Sequence, residues 1–264
     1  MYNFFFDTAD IDYIKNLWSK IGTPELSKSV KGITTNPNAM AKIGRHTLEE
    51  WQAILPKLCE LVSEIRGDAR GEVHVQAPNS EMTGDEVYSF AKFISRFSDG
   101  NTKLGLKIAP KLNVLEEVDF IKEYMPVNVT GLSDCSTAIS CIAYNVDYVS
   151  IIPGRMEEVG IDADQHLSYI SRRNGIGEVI TGSMRTIKGL KKAVKEDTVP
   201  TIGTRVWDIV LNEDIDITSF EVNPTPPSMF SPAVTDKNTE LSVSFFKQMD
   251  ELGQKAYEDF KKTY

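Results

Sequence analysis

Eight short apolar runs, separated by longer amphipathic stretches, recur along the chain and constrain its fold more than any other feature. They cover residues 3–8, 32–36, 72–77, 103–110, 127–131, 148–154, 178–183 and 198–203. Each is rich in Val, Ile, Phe or Leu and closes on polar, Gly or Pro residues, which is how a buried strand reads. Between them the apolar residues fall at helical spacing. Residues 10–21 open on Asp10 as an N-cap and carry Ile11, Ile14, Leu17, Trp18 and Ile21. Residues 47–65 align Leu48, Trp51, Leu55, Leu58 and Leu61, and residues 84–97 align Val87, Phe90, Ala91 and Ile94. Stretches 112–124, 134–143, 162–173 and 186–194 complete the set, and 240–262 is long and amphipathic.

Strand-helix alternation implies parallel strands joined by right-handed crossovers. Eight strands within 264 residues fit an α/β fold, a single (β/α)8 TIM barrel with an extra C-terminal helix. A doubly wound open sheet is the weaker reading, because no strand is followed by a GxGxxG or GxxxxGK[ST] turn. The expected organisation is a barrel over residues 1–222, then a Pro-rich tether and amphipathic helix over 223–264. The prolines of 223–236 bar a helix there. The last helix packs on its own barrel or crosses to a neighbouring subunit of a homo-oligomer.

Lys plus Arg number 29 against 38 Asp plus Glu, a net charge of −9. That balance argues against nucleic acid or an anionic membrane surface as partner. It leaves room for a small anion held by one or two arginines. Cys59, Cys135 and Cys141 form no disulfide framework and show no metal-ligand spacing, so they read as small buried side chains and no metal is expected. Neither a signal peptide nor an apolar window of about 18 residues is visible, so a cytoplasmic protein is expected.

A barrel of this type places its chemistry at the C-terminal ends of the strands. The polar residues there are Asp7, Thr34 and Asn36, His74 and Gln76, Lys107, Asn128 and Thr130, Ser150 then Arg155, and Ser183 then Arg185. Strand alternation puts Thr34 with Asn36, His74 with Gln76, and Asn128 with Thr130 on shared faces. Lys107, inside an apolar strand, is the sharpest anomaly. At a strand edge it would snorkel to solvent. Buried in a barrel, its amine loses basicity and becomes a nucleophile for carbonyls, with Asp7 as proton carrier. Arg155, Ser183 and Arg185 are either surface groups or an anion pocket at the rim of strands six and seven.

These residues carry a resemblance. Phe5-Phe-Asp-Thr-Ala9, Gly32-Ile-Thr-Thr-Asn-Pro37, Leu106-Lys-Ile108, Asn128-Val-Thr130, Ser150 with Gly154-Arg155, and Gly182-Ser-Met-Arg185 occur in the order of the transaldolase family. That family includes the short fructose-6-phosphate aldolases. The resemblance implies a class I enzyme without cofactor, forming a covalent Schiff base on Lys107, with Asp7 shuttling the proton during C–C cleavage. It also implies that Asn36, Asn128 and Ser150 line the substrate, that Thr130 helps hold a catalytic water, and that Arg155, Ser183 and Arg185 bind phosphate. Thr34 and Gln76, at the strand ends, are expected to line the substrate with them. Two positions depart from the pattern. The family's third strand places Glu or Gln beside the water, where register gives His74, or Gln76 after a slip. Its sixth strand carries Phe or Tyr two residues after the serine, where this chain has Ile152. His74 then acts as acid/base or is a hydrogen-bonded structural histidine.

Three functions follow. One is a transaldolase passing a dihydroxyacetone unit from a phosphorylated ketose, such as fructose 6-phosphate or sedoheptulose 7-phosphate, to an aldose phosphate. Another is an aldolase releasing free dihydroxyacetone or using a variant, for example sulfonated, sugar. The third is a sugar-phosphate-binding barrel without turnover.

Overall fold

The computed structural model describes residues 2–67, 70–98, 100–171, 177–226 and 231–264. Strands β1 (Phe4–Asp7), β2 (Val30–Thr34), β3 (Glu72–Gln76), β4 (Lys103–Ile108), β5 (Val127–Leu132), β6 (Tyr148–Ile151), β7 (Glu178–Thr181) and β8 (Val199–Gly203) occupy the eight apolar runs. All pair in parallel with their sequence neighbours, and β1 also pairs with β8, closing the barrel.

Helices α1 (Ile11–Ile21) and α2 (Pro24–Ser29) follow β1, and α3 (Pro37–Lys42) and α4 (Leu48–Arg66) follow β2. Next come α5 (Gly84–Ile94) after β3, α6 (Leu112–Leu115) and α7 (Val118–Ile121) after β4, and α8 (Cys135–Ile142) after β5. Then α9 (Pro153–Glu158) and α10 (Ala163–Ile170) follow β6, α11 (Ile187–Lys195) follows β7, α12 (Thr204–Asn212) follows β8, and α13 (Asp236–Thr263) ends the chain.

Local chemistry sets several starts. The Asp10 carboxylate accepts from the Tyr13 amide at 2.9 Å and caps α1. Thr47 with Glu50 and Thr83 with Glu86 form reciprocal capping boxes for α4 and α5. The structure differs from the sequence pattern in four places. The single helix expected over 112–124 is two short turns, because the Glu117 amide bonds the Val114 carbonyl three residues back and tightens the turn. Helices α2, α3 and α9 lie in stretches the pattern left unassigned. Each begins at a proline, whose missing N–H costs nothing at the first helical position. Helix α12 has no such signature and was also unassigned. Helix α13 starts at Asp236 rather than 240, because Thr235 and Asn238 close a capping box there. Of the expected helix over 162–173, residues 172–173 lie outside the described residues, as do 227–230 of the tether.

Strand alternation sorts the core in two. Phe4, Phe6, Val73, Val75, Leu104, Leu106, Val127 and Val129 face outward into a continuous apolar shell shared with the helices. Phe5, Tyr148, Ile180 and Val199 form a separate cluster inside the barrel. This apolar cluster lies below the polar side chains at the strand ends, and Glu72 at the start of β3 is half-buried beside it. All three cysteines are free and buried. No helix among the described residues is long and apolar enough to cross a membrane.

Helix α13 lies across the C-terminal ends of the strands, packing on α3, α4, α9 and β5 of its own barrel. Polar pairs fix it there. The Asn238 amide donates to the Ser133 carbonyl at 2.5 Å, Ser242 Oγ donates to Gly131 O at 3.0 Å, and the Ser80 amide and hydroxyl both reach Asp250 at 2.6 Å. Gly253 sits so close to the Pro78 carbonyl that any Cβ would collide with it.

Candidate active site

Lys107 stands on β4 with Gln76 of β3 and Asn128 of β5 as its register partners, so the three side chains point into the same end of the barrel. Its ammonium donates to the Thr35 carbonyl at 3.0 Å, and only 7% of the residue is exposed. Burial lowers the amine's pKa, and the opposing charge of Asp7 does not cancel that effect. Desolvation therefore wins over the ion pair. A larger neutral fraction at neutral pH makes this lysine a better nucleophile than an exposed one.

Asp7, at the end of β1, is half-buried and accepts from Thr34 Oγ1 at 2.9 Å. Since Asp10 caps α1, Asp7 is left to face the barrel mouth. Asn36 is placed differently. Its Oδ1 accepts from the Ala39 amide at 2.9 Å as the N-cap of α3, which leaves its amide N–H groups and one oxygen lone pair for another partner. Gln76 and Thr35 are buried near Lys107, and Gln76 Oε1 and Thr35 Oγ1 have no hydrogen-bond partner among the described residues. An unmet buried acceptor costs about 1–3 kcal/mol, which a bound hydroxyl or water would recover. Thr130 is buried on the inner face of β5.

The structure places His74 beneath this level. It has no exposed surface, it pairs in register with Gly105 two residues before Lys107, and both ring nitrogens are occupied. Asn128 Nδ2 lies 3.1 Å from Nδ1, and Glu72 Oε2 lies 2.8 Å from Nε2. The imidazole packs between Phe5 and Tyr148, each centroid 4.9 Å away, tilted 48° to the first ring and edge-on at 62° to the second. Gly105 makes this possible, since a Cβ there would come within 2.6 Å of His74 Cδ2. Glu72 and Tyr148 were not singled out in the sequence. Their signal was the strand alternation, which puts Glu72 on the face of His74 and Gln76, and Tyr148 on the face of Ser150. Burial alone would raise the Glu72 carboxyl. The hydrogen bond from His74 (with its charge whenever the ring is protonated), the Tyr148 hydroxyl and Lys31 outweigh it and hold the group at about 2.

The rim of β6 and β7 carries the cations. Arg155 sits on α9, where Nη2 donates to Gln248 Oε1 of α13 at 3.0 Å and the guanidinium lies 5.0 Å from the Phe245 ring centroid. Its Nε is buried without a hydrogen-bond partner among the described residues. Burial lowers its pKa, neighbouring Arg185 adds to that, and Glu158 and Asp7 oppose it. Two arginines that repel each other beside a free N–H form a site that an anion would stabilise. Ser183 bridges the two loops with φ of 55°, a left-handed conformation rare for non-glycine residues. A Cβ on Gly154 would strike the Ser183 carbonyl, so the loops bearing Arg155 and Arg185 are in direct contact. Arg185 Nε lies 3.3 Å from Glu158. Ile152 is buried in the outer apolar shell.

Lys107, Asp7, Gln76, Asn128 and Ser150 thus share one end of the barrel, and Asp7 is electrostatically linked to both Lys107 and Arg155. No group of three or more His, Cys, Asp or Glu side chains among the described residues is arranged to hold a metal ion.

The chain is 26% identical over 197 residues to proteins named probable transaldolase from Streptococcus pyogenes serotype M5 (strain Manfredo) and serotype M49 (strain NZ131), spanning 73% of this chain and 81% of each relative. Its fold matches a provisionally named fructose-1,6-biphosphate aldolase from Coccidioides immitis with a TM-score of 0.51 and 11% identity. That match covers 98% of this chain and 91% of the other, and at such identity it shows the barrel fold alone. No family model matches the chain. The sequence likeness to transaldolases agrees with the motif order along the strands.

Proposed function

We propose that the protein is a transaldolase- or aldolase-type class I enzyme that transfers a dihydroxyacetone unit from a phosphorylated ketose to an aldose phosphate. The likeness to transaldolases supports the enzyme class. The observation that carries the chemistry is Lys107, a buried amine of lowered pKa beside the charge of Asp7.

In this reading the Lys107 amine attacks the ketose C2 carbonyl, and loss of water gives the iminium. Asp7 then takes the C4 hydroxyl proton, the C3–C4 bond breaks, and its electron pair moves onto the iminium as an enamine. The aldehyde fragment leaves. The enamine attacks the acceptor aldehyde, whose oxygen receives the proton back from Asp7, and water cleaves the imine. Asn128 and Ser150 hold the hydroxyls of the carbon skeleton. Thr34 orients Asp7 through its 2.9 Å hydrogen bond. Gln76, with an unmet carbonyl, and Thr130 hold the hydrolytic water. Arg155, Ser183 and Arg185 bind the phosphate. Asn36 contributes chiefly its amide N–H groups, its oxygen already accepting the α3 cap bond. His74 touches the reacting atoms only through Asn128. Neither a metal nor an organic cofactor is required, since the iminium itself is the electron sink.

Incubation with fructose 6-phosphate followed by borohydride and mass spectrometry tests this. A three-carbon adduct on Lys107 is expected. An adduct on another lysine, or none across a ketose panel, overturns it. Ile152, where the family carries an aromatic ring, favours a second reading. An aldolase releasing free dihydroxyacetone, or using a sulfonated sugar, would turn over with no acceptor aldehyde present, whereas the transferase would stall.

A further inference from the structure

A row of polar side chains runs from the Lys107 level down past the apolar cluster toward the starts of the strands. Ser150 Oγ donates to Asn128 Oδ1 at 2.7 Å, Asn128 Nδ2 faces His74 Nδ1 at 3.1 Å, and His74 Nε2 faces Glu72 Oε2 at 2.8 Å. The Tyr148 hydroxyl donates to both Glu72 oxygens at 2.9 and 2.8 Å, and Lys31 sits 4.8 Å from the Tyr148 ring centroid. Asn128, His74, Ser150 and Tyr148 are all buried.

The direction of every bond in this row follows from its lower end. An ionised carboxylate can only accept. His74 must therefore present Nε2–H to Glu72, which in the neutral ring leaves Nδ1 as a lone pair. That lone pair demands an N–H from Asn128, so the amide cannot turn over. Asn128 Oδ1 is then left to accept the Ser150 hydroxyl proton. Buried polar groups in a low dielectric hold such an arrangement tightly, because any reversed member faces an unmet partner.

We propose that Glu72 and His74 are positioning residues that lock Asn128 as a hydrogen-bond donor and Ser150 as an acceptor toward the substrate carbons bound at Lys107. The second Asn128 N–H and the free lone pairs of Ser150 are the groups left to meet the substrate hydroxyls. The imidazole transmits polarity from one nitrogen to the other, since a proton on Nε2 of the neutral ring leaves Nδ1 as an acceptor. The catalytic half of this inference rests on the functional reading above. The bonding order itself does not.

The tautomer is read directly by nitrogen NMR of the His74 ring in the intact protein. A protonated Nε2 and unprotonated Nδ1 are expected, and a protonated Nδ1 overturns the proposal whether or not the protein is active. Activity is then measured for Glu72→Gln, Asn128→Ala and the double variant, each checked for an intact fold by circular dichroism. Glu72→Gln is expected to lower kcat about 10–100-fold, the worth of one hydrogen bond to a charged group. Its KM should change little, and Glu72→Asp should recover part of the rate. In the Asn128→Ala background the same substitution should cost less than about twofold, because its effect passes through Asn128. Equal losses in both backgrounds mean that Glu72 matters only to the core, and overturn the inference while leaving a Lys107 adduct in place. A wild type that forms no Lys107 adduct overturns the functional reading and the catalytic half together. If Glu72→Gln does not fold, the wild-type tautomer and His74→Gln kinetics decide the matter by the same two criteria.

Discussion

The two ends of the site are built on different principles. The reaction floor stands on strands: Lys107, Gln76 and Asn128 are register partners in neighbouring ladders. Below them His74 bonds Asn128 on one side and Glu72 on the other. The anion rim stands on loops and short helices. Arg155 and Arg185 belong to segments that touch through Gly154 and Ser183, and Arg155 is braced from outside by Phe245 and Gln248 of the terminal helix. A strand position is held by backbone bonds on both sides, whereas a rim position is only as rigid as what packs on it. The difference teaches where loss of a side chain should appear: in the rate for the floor, in affinity for the rim.

The sharpest test is Lys107→Ala, which should lower kcat by at least about 10⁴-fold and abolish borohydride trapping, as expected for loss of a covalent nucleophile. With Lys107 present, log kcat/KM should rise with pH to a midpoint below the ordinary lysine value of about 10.4, because burial lowers this amine. A midpoint at or above that value would break the account of Lys107. Asp7→Asn should cost about 10²–10⁴-fold in kcat, the usual range for a proton-transfer group, while the first imine still forms on Lys107. Loss of trapping together with rate would instead make Asp7 part of imine formation.

Rim substitutions should separate from these. Arg155→Ala should raise KM for a phosphorylated donor about 10–100-fold with kcat nearly kept, and should not affect an unphosphorylated one, in line with the worth of charge-assisted hydrogen bonds. A fall confined to kcat would erase the contrast between floor and rim. Gln248→Ala removes only a brace, and about a twofold to fivefold rise in the same KM is expected. No change would assign α13 to packing alone.

A separate effect concerns stability rather than turnover. The Glu72 carboxyl sits at about 2 in the folded chain and near 4.3 unfolded. A depressed carboxylate stabilises the fold above its unfolded value, and that contribution is lost as pH falls from about 4.3 through about 2. It amounts to on the order of 3 kcal/mol. Acid titration of the melting temperature should therefore fall more steeply for wild type than for Glu72→Gln. Parallel curves would remove the charge from Glu72's role.

Much of this molecule was legible in the chain itself. Period-two apolar runs alternating with helical stripes determine the barrel, because an element that cannot bury its apolar face alone has few ways to close a core. The same alternation put Lys107, Asp7, Asn128 and Ser150 at the ends of strands, and Asp10's capping geometry left Asp7 over. Helices α2, α3 and α9 were hidden because a proline at the first helical position looks locally like a turn. Asn36 could not be sorted between substrate and helix cap without α3 in place, since both uses draw on the same amide. Nor could His74 be placed. Its depth depended on Gly105 across the ladder, which opens the space, and on Glu72 and Tyr148, which close the bonds around it. Residue order determined which side chains enter the barrel. Only the packed structure decided their height within it and their partners, because hydrogen-bond direction and burial belong to neighbours brought together across the sheet rather than along the sequence.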